Sequence, residues 1–124
     1  GLTRAMKKWS ENNDTGVRSY HMETMVYNYF EEKSRRGEKV PDSYEELTRD
    51  FAQTLPDRVK QGGAEEPVYG ENVSSGMSRS ERRQAAKKAG EMQEKLEEAK
   101  QLKEAGKTEE AKQKLREVHG EGFN

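Results

Sequence analysis

Apolar residues return every third or fourth position along most of this chain, and turn-forming residues take over where that rhythm stops. Leu2, Ala5, Met6 and Trp9 mark one face of a first helix. Asn12-Asn13-Asp14-Thr15-Gly16, a cluster of turn formers, ends it. Met22, Met25, Val26, Tyr29 and Phe30 make the stripe of a second helix, expected from about Ser19 to about Lys33. After a solvated turn, Pro41-Asp42-Ser43 opens a third. Ser43 and Glu46 have the spacing at which each side chain satisfies a backbone N–H that the helix start leaves free. Tyr44, Leu47, Phe51 and Leu55 are expected to face the core, and Pro56 to end or bend this helix.

Residues 61–77 lose all periodicity. They hold two adjacent glycines, Pro67, Gly70 and Gly76, with Val68, Tyr69 and Val73 as the available apolar anchors. A loop or linker is expected there. Ser78 and Glu81 repeat the reciprocal capping pattern and open a helix expected to run to about Ala105. Ala85, Ala89, Met92, Leu96 and Ala99 recur at steps of four and three, a narrow seam rich in small residues. Gly106 suits the left-handed position after that helix, and Thr108 suits the cap of a last one carrying Ala111, Leu115 and Val118 and stopped by Gly120. No segment carries a strand pattern. The expected fold is all-α: a small bundle of about three helices over residues 1–60, the 61–77 linker, and a charged helical hairpin over residues 78–124.

Composition narrows the picture. Only 29% of the 124 residues are hydrophobic and 38% are charged, so the core is small. The net charge of −1 supplies no global field for nonspecific nucleic-acid binding, and nucleic acid is not an expected partner. There is no cysteine, hence no disulfide or thiolate metal site. No apolar run approaches a membrane span and no signal-peptide pattern is present, so a cytoplasmic location without membrane contact is expected.

The chemistry is equally selective. Nucleotidyl and phosphoryl transfer need metal held by clustered carboxylates. The acids here sit in helix-surface patterns beside lysines, no P-loop spacing occurs, and His21 and His119 lie far apart. No catalytic and no metal-binding residue is assigned. His21 is expected to pack between helices and bond a neighbouring backbone. A binding set is nevertheless present. Lys7, beside the first apolar stripe, can lay its stem on that surface and project its ammonium. Ser19 at a helix start can offer its hydroxyl to a phosphate together with backbone N–H groups. Tyr20 has a face on which a base could stack. The same residues also fit a plainer reading, in which Ser19 is an N-cap and Tyr20 a core residue. A second basic group, Arg79, Arg82, Arg83, Lys87 and Lys88, opens the long helix and reads as a solvated face, since Glu81 and Glu91 dilute it and no aromatic is interleaved.

Arg4-Ala5-Met6-Lys7-Lys8-Trp9 resembles the Lys-x-Trp helix in the C-terminal lobe of oligoadenylate synthetases and cyclic GMP-AMP synthase-like (CD-NTase) nucleotidyltransferases. Val17-Arg18-Ser19-Tyr20-His21-Met22-Glu23 is similar to their Ser-Tyr/Phe-His-Leu-Glu helix start. Asn72-Val73 before a charged hairpin, and Gly120-Glu121-Gly122-Phe123 at its close, resemble bacterial members. The resemblance implies a helical lobe that holds nucleoside triphosphate through Lys7, Ser19 and Tyr20. It also implies an N-terminal catalytic lobe, with a Gly-Ser turn and three carboxylates for two magnesium ions, that is not in this chain. No cofactor is expected in the chain itself; magnesium with the triphosphate belongs to the full-length parent. The family makes cyclic or linear oligonucleotides, often as antiviral second messengers. The rival reading is a tetratricopeptide-like protein-interaction module: Leu102, Ala105-Gly106, Glu110-Ala111 and Leu115 fit one such unit, although an array needs several.

Overall fold

The computed structural model describes residues 1–61, 63–65, 72–74 and 77–120. Five helices account for most of them: α1 (Leu2–Asn12), α2 (Ser19–Arg35), α3 (Tyr44–Lys60), α4 (Arg79–Glu104) and α5 (Thr108–His119). The chain is thus an all-α bundle with a C-terminal hairpin. The 61–77 segment differs from the expected loop in one respect. Gly63–Glu65 (β1) and Asn72–Ser74 (β2) pair antiparallel, Gly63 opposite Ser74 and Glu65 opposite Asn72. Three-residue strands are too short to leave a period-two pattern, which is why the sequence carried no sign of them. The anchors Val68 and Tyr69, and Phe123 of the closing motif, lie outside the described residues.

One hydrophobic core joins the bundle to the hairpin. Met6 and Trp9 of α1, Met22 and Met25 of α2, Phe51 and Leu55 of α3 and Met92 and Leu96 of α4 belong to a single buried cluster, which Val118 of α5 closes. The alanine seam explains how α4 gets in. Ala85 and Ala89 are fully buried, and small side chains let the α4 backbone lie close along α3. Methionine does much of the filling, as its unbranched thioether adapts to irregular gaps where apolar residues are scarce.

Caps fix the helix ends. Ser78 and Glu81 satisfy each other's backbone N–H groups at 3.1 and 2.9 Å. Ser43 Oγ accepts the Glu46 N–H at 3.1 Å. At the end of α4 the Lys107 N–H bonds the Leu102 carbonyl at 2.8 Å and the Gly106 N–H bonds the Lys103 carbonyl at 3.0 Å. With Gly106 at φ +80° this is a Schellman turn. Lys107 then takes the N-cap position of α5 without a side-chain cap, so Thr108 is the first helical residue and not the cap.

Two expectations about apolar positions change, and one of the two alternatives for Pro56 falls. Pro56 does not end α3, which continues to Lys60. Leu55 and Val59 are buried on either side of it, and burying two such side chains, each about 1.5–3 kcal/mol, offsets the roughly 3 kcal/mol cost of an interior proline. Phe30 and Tyr44 are exposed, at 37% and 42%. Each sits at the edge of its stripe: Tyr29 takes the core position beside Phe30, and Tyr44 is only the first residue of α3.

Tyr29 shows how α2 is tied to α3. Its ring meets Phe51 edge-on at 5.5 Å and its hydroxyl donates to Asp50 at 2.6 Å. Lys33 pairs with the same carboxylate at 3.1 Å. Burial pushes Asp50 up, but the hydrogen bonds from Tyr29 and Lys33 outweigh it and hold the carboxyl below its usual range.

Candidate functional site

The candidate site begins at the turn between α1 and α2. Leu2, Met6 and Trp9 bury one face of α1, and Lys7 lies off that face with its side chain 30% exposed. The Lys7 ammonium pairs with the carboxylate of Glu23, one turn into α2. Ser19 and Glu23 are four residues apart on α2 and so share a helix face. The contact therefore brings Lys7 against the face that Ser19 begins.

The start of α2 carries no side-chain cap. Arg18 holds the N-cap position in extended backbone, with no side-chain cap bond and no acidic residue in the first turn. Ser19 is the first helical residue, exposed, and does not serve as the cap. Tyr20 is 54% exposed and is not a core residue. An uncapped first turn presents backbone N–H groups and the positive end of the helix dipole, an arrangement that favours anions. Arg18, exposed beside it, adds a cation. Ser19 and Tyr20 thus stand exposed at the start of α2, and Lys7, half-buried, meets α2 one turn further on at Glu23.

The turn that sets this arrangement is ordered by its own bonds. Asn13 Nδ2 donates to the Trp9 carbonyl at 2.9 Å, the hydroxyls of Ser10 and Thr15 share a buried hydrogen bond, and the Val17 N–H reaches Thr15 Oγ1 at 3.2 Å. Asp14 takes φ +50°, a left-handed conformation that aspartate tolerates better than most residues.

Neither histidine joins the site. His21 is buried, and burial alone lowers its pKa. Its Nδ1 has no hydrogen-bond partner among the described residues, so the backbone bond expected of it is not made there. His119 is also buried, beside Tyr44 with ring centroids 6.5 Å apart. Burial, then the Lys8 ammonium, lowers its pKa. No group of three metal-ligating side chains occurs among the described residues. The cleft between α3, α4 and α5, lined by Tyr44, Leu96, Lys103 and His119 among others, has an interior volume of 20 Å³. That admits about one water, far short of a nucleotide.

The basic start of α4 divides by helical phase. Arg82 donates to the Met77 carbonyl at 2.9 Å, and Lys88 donates to the carbonyls of Asn13 and Asp14 at 2.9 and 3.0 Å. Arg79, Arg83 and Lys87 are exposed. Sequence reasoning missed Glu23 as the partner of Lys7, although its four-residue offset from Ser19 was a usable signal. It also missed Lys88, for which no local signal existed, because its partners lie 74 and 75 residues away.

No protein-family model, no curated protein and no solved structure matches this chain.

Proposed function

We propose that this chain is the helical, substrate-holding lobe of a template-independent nucleotidyltransferase, and that Lys7, Ser19 and Tyr20 contact a nucleoside triphosphate which a separate catalytic lobe acts upon. One observation carries the reading: α2 begins without any side-chain cap or first-turn acid, and a lysine from α1 is held against the same helix face. A helix start without a side-chain cap, beside a lysine and an arginine, is a poor way to stabilise an isolated bundle and a good way to receive a polyphosphate. Exposed Tyr20, next to Ser19, supplies a ring for the base. The parent enzyme would make cyclic or linear oligonucleotide messengers in antiviral defence, in the cytoplasm, with magnesium delivered on the triphosphate and held by the other lobe. This chain alone has half a cleft. By itself it would be inactive and bind nucleotide weakly, since on this reading the metal clamp and the enclosure belong to the other lobe.

The interaction-module reading has less to stand on. Its unit, Leu102, Ala105-Gly106, Glu110-Ala111 and Leu115, occurs once, where an array needs several copies.

The deciding experiment is kinetic. In the full-length parent, Lys7→Ala raises the KM for the triphosphate by more than it lowers kcat, because it removes a contact to bound substrate and leaves the metal site intact. Unchanged kinetics in that variant refute the assignment.

A further inference from the structure

We infer that Lys88 is a positioning residue: from the distant hairpin it clamps the turn that sets Lys7 of α1 against the α2 face on which Ser19 and Glu23 lie. The inference rests on the nucleotide reading of those three residues. Its structural basis is a single ammonium donating to two successive carbonyls, Asn13 at 2.9 Å and Asp14 at 3.0 Å. Both lie just past the end of α1, where carbonyls have no partner within the helix and the dipole is negative. A cation there satisfies two acceptors at once and favours the charge distribution of the helix.

The turn needs such support. Asp14 stands at φ +50° and Gly16 at φ +78°, so two left-handed residues fall within three positions. The Met77 side chain lies 3.9 Å from where a Cβ on Gly16 would sit, so α4's leading segment also backs the turn from below. Three residues beyond Gly16, α2 starts at Ser19. A shift of the 13–16 backbone therefore changes where Ser19 and Tyr20 stand relative to Lys7. The charged hairpin consequently acts as the brace of the site although none of its residues is placed against nucleotide.

The test uses this chain with Lys88→Gln, Lys88→Arg and, as a neighbouring control, Lys87→Met. The readouts are amide hydrogen exchange and an NMR titration with magnesium ATP. In Lys88→Gln, exchange at residues 15–20 becomes about tenfold faster while α5 is unchanged, and affinity for magnesium ATP falls about fivefold or more. Lys88→Arg restores both, and Lys87→Met alters neither. Wild-type exchange at 15–20 in Lys88→Gln, or acceleration spread equally over α5, overturns the clamp. A wild-type chain with no ATP-induced shifts overturns the nucleotide reading instead, and the exchange comparison still decides what Lys88 holds.

Discussion

Lys7 and Glu23 join the middle of α1 to the second turn of α2 by an ion pair whose two ends are both partly exposed to water. Such a pair adds little to stability, about 0–1 kcal/mol, because solvent screens it. Its consequence lies in competition. A phosphate approaching Ser19 must take the ammonium from the Glu23 carboxylate. Glu23→Gln is expected to raise affinity for magnesium ATP severalfold while leaving the melting temperature within a few degrees of wild type. Isothermal titration beside a thermal melt checks both, and a fall in affinity would mean that Glu23 orients Lys7 instead of restraining it.

Two glycine-to-alanine changes in the hairpin should act in opposite directions. Gly90 sits inside α4, and a Cβ added there meets nothing within 4 Å. Gly90→Ala should stabilise by about 0.5–1 kcal/mol, the helix-propensity difference. Gly106 has equal space but stands at φ +80°. Gly106→Ala should destabilise by about 1 kcal/mol, since a side chain strains the left-handed turn. Urea denaturation of the two variants measures the contrast.

Stability should depend on pH through the two buried imidazoles. Both are lowered from 6.5 in the folded chain, His21 by burial and His119 by burial and then Lys8. As pH falls through 6.5 the unfolded chain takes up these protons first, so stability is full above that pH and declines below it. Denaturation midpoints at pH 7.5, 6.5 and 5.5 should fall in that order, and less steeply in His21→Leu. Equal midpoints from pH 7.5 to 5.5 contradict the assignment.

Tyr29→Phe removes the hydroxyl that donates to Asp50 and leaves that carboxylate with Lys33 as its remaining close partner. The expected loss is about 1–2 kcal/mol, larger than for an exposed pair because a charged acceptor is left short of a donor in a partly buried place. The acid midpoint should also move upward, since Asp50 loses one of the bonds that keep it ionised. Tyrosine fluorescence is altered by the change itself, so far-ultraviolet circular dichroism is the appropriate probe.

What was legible in the sequence was local. Capping pairs such as Ser78 with Glu81, and the seam from Ala85 to Ala99, are patterns within one or two helical turns, and the structure places them as the spacing predicts. What escaped was set by tertiary context. Pro56 is tolerated because Leu55 and Val59 are buried around it, which no window along α3 reveals. Phe30 and Tyr44 look like core residues until neighbouring helices leave them at the edge. The candidate site divides in the same way: Lys7, Ser19 and Tyr20 are readable as residue types near helix ends, whereas Glu23 and Lys88 acquire meaning only when α1, α2 and α4 are brought together.

The alanine seam of α4 also dictates how the molecule can be cut. A fragment stopping at residue 60 would strip the cover from Phe51 and Leu55 and lose the brace on the 13–16 turn in the same stroke. Dissection at that point would yield sticky, collapsed material, and any nucleotide titration on it would be silent about the intact chain.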